Sequence, residues 1–239
     1  MAIEVRSGAA TTDSSTTSSA WVVDGPSSIS NGDVVVIVVG MTDNTALGTP
    51  SGFTEILNNL WTAGNDGCTA AFYKVITDAG SEPATYTGSC NLVTSFGGYC
   101  CALSGVDTTG GVINGNEAYN IRPNDTTPAT ADIVTTDTNQ MVFATWAVCW
   151  TYSSMTAPGG SWTTQCIDTG GTDDGLNGVL AVCTYISATA TTVTGPELGV
   201  SESGQETGAQ IFAFIEAAGA PADLEINVAD CSIIKTQLI

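Results

Sequence analysis

The sequence contains no histidine and few basic residues. Its 239 residues include 24 Asp and Glu but only 4 Lys and Arg, which gives a net charge of −20 at pH 7. Proteins that bind a phosphate backbone need clustered Lys and Arg, so we expect no nucleic-acid partner and no binding to anionic membranes. The absence of imidazole excludes Ser-His and Cys-His mechanisms and His metal ligands. The four basic residues stand far apart in the sequence: Arg6, Lys74, Arg122 and Lys235.

A secretory signal and a membrane-spanning run are also missing from the sequence pattern. The chain opens Met-Ala-Ile-Glu-Val-Arg and continues into Ser and Thr, without a basic n-region followed by an apolar h-region. The longest strongly apolar run, Val34 to Met41, is about half or less of the length that a membrane-spanning helix needs. We therefore expect a soluble protein made without a signal peptide.

The eight cysteines do not form a metal-binding motif, because no C-x-x-C occurs among them. A chain of this length without an export signal favours free thiols packed in the core. One or more disulfides remain the alternative. The cysteines are Cys68, Cys90, Cys100, Cys101, Cys149, Cys166, Cys183 and Cys231.

Motifs for catalysis are absent, and we expect no enzyme and no cofactor. The segment Gly199 to Gly204 misses the G-x-S-x-G pattern at its last position, and neither lysine lies in an S-x-x-K motif. Paired carboxylates of the glycosidase kind remain the one enzymatic route, but no spacing singles out a pair. Calcium is the metal that suits acidic loops best, although no loop matches the EF-hand pattern. The calcium candidates are Asp173 and Asp174, followed by Asn65 and Asp66.

Short Thr- and Val-rich runs separated by turn residues predict an all-β protein, since no long segment has helical periodicity. Eight strands are expected. They are Asp33 to Met41, Gly52 to Asn58, Cys68 to Ile76, Phe96 to Ser104, Gln140 to Trp150, Trp162 to Asp168, Gly178 to Ser187 and Ala209 to Ile215.

These strands divide into two sets of four that resemble each other in order and spacing. Two similar halves favour an antiparallel β-sandwich of the jelly-roll type. The alternative is that any Thr/Val-rich β protein shows apparent repeats. Several strands, such as Val34 to Val39, are apolar on both faces. Their outer faces are therefore covered either by another part of the chain or by a neighbouring subunit.

The segments at the two ends of the sequence differ from the sandwich between them. Residues 1–20 are rich in Ser and Thr and are expected to be flexible. Residues 21–216 are assigned to the sandwich, and residues 217–239 to a hinge and a strand-like assembly arm. The arm has period-2 alternation, and it adds a strand either to a neighbouring subunit or to its own sheet edge. Its predicted interface residues are Leu224, Ile226, Val228, Ile233, Ile234 and Leu238.

One group of motifs carries a resemblance to a known family. Phe72-Tyr73-Lys74-Val75 is followed by Gly80-Ser81-Glu82-Pro83-Ala84-Thr85-Tyr86, after a Pro50-Ser51-Gly52-Phe53-Thr54 turn. Over about residues 30–110 this series resembles a β-sandwich module of tailed-phage virion structural proteins. Such modules are components of virions or surfaces and have no catalytic motif to carry over. The residues themselves also allow an ion pair between Lys74 and Glu82, with a solvated Lys74 as the alternative.

The resemblance implies a non-enzymatic virion protein, and the size favours a capsid decoration or cement subunit on the outer shell. Its partners would then be copies of itself and other virion proteins such as the major capsid protein, and its location the virion surface after synthesis in the host cytoplasm. The alternative is a tail, fibre or surface-filament adhesin. A third interpretation is a carbohydrate-binding or glycoside-hydrolysing sandwich, for which Trp61, Trp150 and Trp162 are the candidate sugar contacts and Trp162 also suits core packing.

Overall fold

The computed structural model describes most of the chain. Within its ranges the protein forms β-strands and one 3-10 turn, Ala79–Ser81. No helix among the described residues is long and apolar enough to cross a membrane. The described residues are 2–13, 19–42, 45–62, 67–91, 96–123, 125–149, 154–168, 179–201 and 206–218.

The strands fall into a first half, residues 2–104, and a second half, residues 113–214. The first half contains β1 (Glu4–Asp13), β2 (Ala20–Asp24), β3 (Val34–Met41), β4 (Thr54–Trp61), β5 (Gly67–Val75), β6 (Thr85–Ser89) and β7 (Phe96–Ser104). The second half contains β8 (Ala118–Pro123), β9 (Ile133–Val134), β10 (Gln140–Cys149), β11 (Met155–Thr156), β12 (Thr163–Asp168), β13 (Val179–Ser187), β14 (Thr192–Val193), β15 (Gly199–Val200) and β16 (Glu206–Phe214). Each of the eight predicted strands overlaps one of these.

Each half builds one complete five-stranded antiparallel sheet. The first sheet has the order β4-β5-β3-β7-β1, and the second has the order β12-β13-β10-β16-β8. The two orders are the same when β8 is matched with β1 and β10 with β3. The prediction of an all-β antiparallel sandwich with two similar halves is therefore confirmed. The jelly-roll topology is not confirmed, because neither large sheet contains strands from both halves.

The two sheets also share their pairing register. Near the start of β3, Val34 pairs with Val75 on β5 and with Leu103 on β7. Near the start of β10, Met141 pairs with Ile186 on β13 and with Phe214 on β16. These two sets of three residues therefore occupy matching positions in the two halves.

A β-bulge recurs at the same place in both edge ladders. On β4 the register shifts between Glu55 and Leu57, and on β12 it shifts between Thr164 and Cys166. The extra residues are Ile56 and Gln165. Because a bulge bends its strand and redirects one side chain, its recurrence supports a repeated structural unit rather than a chance similarity of Thr/Val-rich strands.

The two sheets pack face to face in a symmetrical way. β3 lies on β10, β7 lies on β13 and β5 lies on β16, while the edges pair β1 with β12 and β4 with β8. Exchanging the halves maps this set of contacts onto itself. The interface therefore has the isologous form of a twofold dimer, built within one chain. Its core contains aromatic side chains from the second half, with Phe143 stacked on Phe212 at 5.3 Å between ring centroids.

The outer face of each large sheet is covered by short strands of the same half. β2 and β6 pair with each other and pack Trp21 and Tyr86 against the first sheet. β9 with β14, and β11 with β15, cover the second sheet. This arrangement explains why the central strands are apolar on both faces. Of the two explanations that the sequence left open, cover by the chain itself is the one observed.

The N-terminal segment is not wholly flexible, which corrects the expectation for residues 1–20. Residues 4–13 form β1, which pairs with β7 along its length. Arg6 donates two hydrogen bonds to the buried carboxylate of Asp33, from Nε at 2.9 Å and from a terminal nitrogen at 3.2 Å. A Cβ at Gly8 would collide with the Tyr99 hydroxyl. The small residues that suggested flexibility are thus suited to a strand in close contact with a ring.

All cysteine side chains that the structure describes are buried thiols outside any disulfide: Cys68, Cys90, Cys100, Cys101, Cys166 and Cys183. Burial raises the pKa of the Cys183 thiol to about 11 and that of Cys101 to about 12. These thiols remain protonated at neutral pH and act as small apolar side chains. For these positions the free-thiol prediction is confirmed. The side chain of Cys149 and the whole of Cys231 lie outside the described part.

Candidate functional site

The predicted ion pair between Lys74 and Glu82 is present on the outer face of the first half. Lys74 Nζ lies 2.8 Å from Glu82 Oε1 and 2.9 Å from Oε2. The Tyr86 hydroxyl donates a hydrogen bond of 3.0 Å to Glu82 Oε2. Lys74 also lies 5.9 Å from the centre of the Phe53 ring, which meets Tyr86 edge-on. We call these four residues, Phe53, Lys74, Glu82 and Tyr86, the lock.

The lock contains charged groups, yet its geometry is that of a structural element. Burial, and then the hydrogen bond to Glu82, raise the pKa of Tyr86 well above its usual value, so this phenol stays neutral and donates. The Glu82 side chain is only 7% exposed, and its carboxylate accepts hydrogen bonds from Lys74 and from Tyr86. The motif that carries the family resemblance thus fixes the Ala79–Tyr86 segment onto the first sheet.

The matching place in the second half has different side chains. The ladder pairs Thr54 with Tyr73 in the first half and Thr163 with Thr184 in the second. Phe53 therefore corresponds to Trp162, and Lys74 corresponds to Tyr185. The Trp162 and Tyr185 rings lie 5.4 Å apart at an angle of 37°. An aromatic pair replaces the cation–aromatic contact.

A groove of about 300 Å³ lies beside this pair, at the end of the β12–β13 ladder. It is lined by Ser161, Thr163, Thr184, Tyr185 and Ile186. None of these described lining residues is charged. Thr184 is 4% exposed, whereas Ile186 is 39% exposed, so the groove has a buried wall and an accessible rim. We call it the β12–β13 groove.

A chain of hydrogen bonds that crosses the two halves holds the buried wall. Tyr99 on β7 donates to Gln165 Oε1 at 3.3 Å, and Gln165 Nε2 donates to Thr184 Oγ1 at 2.8 Å. Burial raises the pKa of Tyr99, which keeps its hydroxyl protonated. Thr184 Oγ1 accepts in this chain, and a hydroxyl that accepts one hydrogen bond can also donate its own proton. Gln165 is the bulge residue of β12, so the bulge brings its amide into the chain.

A second groove, of about 270 Å³, lies where the two halves are connected. Its lining includes Asp107, Asp137 and Glu216. Asp107 accepts hydrogen bonds from the backbone of Thr109 and Gly110, which lowers its pKa. The described residues contain no group of three His, Cys, Asp or Glu side chains arranged to hold a metal ion. At Asp107 the observed contacts of this acidic groove are those of a local turn.

The other residues singled out from sequence have separate outcomes. Trp61 is 2% exposed and packs between the sheets, so its assignment as a sugar contact is wrong. Trp162 packs in part against the core, as expected. Several predictions lie outside the described residues. These are the calcium candidates Asp173, Asp174, Asn65 and Asp66, the tryptophan Trp150, and the arm residues Leu224, Ile226, Val228, Ile233, Ile234 and Leu238.

The sequence analysis missed the β12–β13 groove. Thr163, Thr184 and Gln165 look like ordinary polar residues of a half-exposed strand, and only the match between the two halves reveals what differs. Comparison with known proteins gives no further guide, because no family model, curated protein or solved structure matches this chain.

Proposed function

We propose that this protein is a non-enzymatic structural subunit of a bacteriophage virion, and specifically a capsid decoration or cement subunit on the outer shell. The observation that carries the proposal is the lock. The residues on which the resemblance to phage modules depends, Lys74, Glu82 and Tyr86, hold one another in a closed arrangement with no free reactive group. A rigid block of this kind suits a shell subunit.

The covered sheet faces add support. Because β2 and β6, and the short strands of the second half, cover both large sheets, the broad apolar faces are already used within the chain. Attachment to a shell would then depend on strand edges or on appended segments. The net charge of −20 disfavours contact with packaged nucleic acid and suits the outside of a particle.

The hinge and the assembly arm, residues 217–239, supply the attachment in this proposal. Leu224, Ile226 and Val228 would form the buried face of an added strand on a neighbouring subunit or on the shell beneath. The Val106–Glu216 bridge and the 2.8 Å hydrogen bond from Ala217 N to Gly105 O fix the point from which this segment departs.

Truncation of the arm tests this part of the proposal. We compare the full chain with a variant that lacks residues 221–239, using sedimentation velocity and co-sedimentation with phage particles. The truncated protein should keep its β-sheet circular dichroism and melting temperature but lose self-assembly and particle binding. A truncated protein that unfolds would place the segment in the core, and one that still assembles would show that the arm is not the attachment.

A matched pair of arm variants gives a finer test. Changing Leu224, Ile226 and Val228 to Ser removes the apolar face, whereas changing Asp223, Glu225 and Asn227 to Ser alters the opposite face. Only the first variant should abolish particle binding. Negative-stain microscopy with a gold-labelled antibody on purified particles then separates a shell location from the tail or fibre location of the alternative adhesin.

A further inference from the structure

The strands around the β12–β13 groove match strands of the first half, but the side chains at the matching positions differ. Register places Tyr73 of β5 where Thr184 stands on β13, and Tyr73 packs with the inter-sheet core. Gly52 and Lys74 stand where Ser161 and Tyr185 stand, and the Lys74 side chain passes over Gly52 at 3.5 Å from an added Cβ. At the position of Thr184, the first half therefore has the bulky ring of Tyr73 in place of a small hydroxyl residue.

We propose that the β12–β13 groove binds a neutral carbohydrate. Three of its described lining residues, Ser161, Thr163 and Thr184, carry hydroxyls, and Ile186 adds an exposed apolar side chain. A sugar presents the same combination, with hydroxyl groups that both donate and accept and with apolar C–H faces.

The electrostatics of the groove select against charged ligands. Among the described residues that line it, there is no lysine or arginine to pair with an anion and no carboxylate to pair with a cation. The overall charge of −20 further disfavours phosphorylated or acidic compounds. The volume of about 300 Å³ lies at the lower end of the range for small-molecule sites. A monosaccharide or the terminal unit of a glycan is the ligand of matching size.

The hydrogen-bond chain from Tyr99 through Gln165 gives the groove a prearranged polar contact. Thr184 is buried, and its hydroxyl is oriented by the amide of Gln165. An oriented donor reduces the ordering cost of binding. Tyr99 and Gln165 are positioning residues in this proposal, whereas Thr163 and Thr184 contact the sugar.

Saturation-transfer NMR tests the proposal directly on the full chain. The probes are D-glucose, D-galactose and N-acetyl-D-glucosamine, with D-glucuronate as the anionic comparison. At least one neutral sugar should receive saturation at concentrations of about 1–10 mM, the range of weak single-site binding. D-Glucuronate should receive none. Absence of transfer to every neutral sugar would overturn the proposal, and so would stronger transfer to D-glucuronate.

The repeat supplies a matched control for the variants. Thr163→Val removes a groove hydroxyl, while Thr54→Val makes the same change at the matching exposed position of the first half. We expect Thr163→Val to weaken sugar binding at least about fivefold, since a hydrogen bond contributes about 1 kcal/mol. Thr54→Val should leave binding unchanged. Equal binding by both variants would contradict the assignment.

A third variant guards against a structural explanation. Thr184→Val removes the buried hydroxyl and should abolish binding, whereas Thr184→Ser keeps the hydroxyl that accepts from Gln165 and should retain binding. The assay does not involve residues 219–239, so a negative result here leaves the virion proposal standing, and failure of the arm experiment leaves this one standing.

Discussion

The two halves of the chain reach the same architecture with different polar contacts. At the start of the central strand, the first half uses the ion pair of Arg6 with Asp33, while the second half has Asn114 donating to Gln140 Oε1 at 3.1 Å. Register shows that the two pairs occupy matching positions. A charged pair and a neutral amide pair therefore support the same junction, as expected where hydrogen bonding rather than net charge satisfies a buried group.

The outer edge of each sheet shows a second difference. The first half has the lock, in which Lys74 and Glu82 fix a covering segment, whereas the second half has the Trp162–Tyr185 pair beside a groove. In the first half a charged pair occupies this position, whereas in the second half residues with hydroxyl groups line a groove. We infer that the first half contributes rigidity, and that the second half carries the binding surface proposed above.

The largest expected difference between the halves lies in the inter-sheet core. Phe143 and Val36 hold matching positions on β10 and β3, and Phe143 contacts both Phe212 and Phe214. Phe143→Ala should lower the free energy of unfolding by about 3–5 kcal/mol, and Val36→Ala by less, because fewer buried atoms are removed. Urea unfolding followed by circular dichroism measures both. Equal losses would show that the core does not depend mainly on the second-half ring cluster.

A smaller difference is expected at two matching glycines. A Cβ at Gly208 would lie 2.4 Å from the buried Trp61 ring, while one at Gly97 would lie 3.0 Å from Leu180 Cβ. Gly208→Ala should therefore cost about 1–3 kcal/mol by overpacking, and Gly97→Ala should cost less. Thermal melts of the two variants provide the measurement. A larger loss for Gly97→Ala would contradict the placement of Trp61 between the sheets.

Disrupting the lock should lower the free energy of unfolding by a similar or smaller amount, through contacts of the first half alone. Glu82→Gln removes the charged acceptor shared by Lys74 and Tyr86, and hydrogen bonds to charged groups are worth about 1.5–3 kcal/mol. The control is Glu197→Gln at an exposed position of the second half, expected within about 0.5 kcal/mol of the parent protein. Chemical denaturation at pH 7 compares them, and equal stabilities would show that the lock does not stabilise the fold.

The lock also predicts a response to alkaline pH. An unfolded tyrosine ionises near pH 10, whereas the folded Tyr86 holds its proton to higher pH because burial and Glu82 raise its pKa. Above about pH 10 the unfolded state binds fewer protons, so stability falls as pH rises, by up to about 1.4 kcal/mol per pH unit for this group. Tyr86→Phe should remove that share of the slope. An unchanged slope between pH 10 and 11.5 would contradict the buried placement of the phenol.

Much of the fold was predictable because the long central strands are continuous apolar and Val-rich runs bounded by turn residues. The β7 prediction matches at both ends, and the repeated strand order follows from turn spacing. β1 was missed because Ser, Thr, Gly and Ala give no apolar alternation, and its position depends on a distant ion pair between Arg6 and Asp33. The short covering strands, such as β9 and β14, have two residues each and carry too little pattern to be recognised.

The candidate site was less predictable than the fold. The Lys74–Glu82 pair could be predicted from sequence, since Lys74 is an isolated cation and Glu82 follows it in the next turn. The β12–β13 groove depends instead on a difference between the halves, since Thr184 lies where the first half has Tyr73. A difference of that kind becomes visible only when the register of both sheets is known. Trp61 was misassigned as a sugar contact because it lies at the end of its strand beside a loop. Its ring packs against Ala147 and Gly208 of the second sheet.

Chemical-shift mapping tests the central claim, that matching places in the two halves are closed in one and ligand-accessible in the other. Backbone amide spectra are recorded while the neutral sugar with the strongest saturation transfer is titrated into the full chain. The account predicts shifts concentrated at Thr163, Thr184 and Ile186, with none at the matching Thr54, Tyr73 and Val75. Shifts at the first-half positions, or no shifts around the groove, would contradict it.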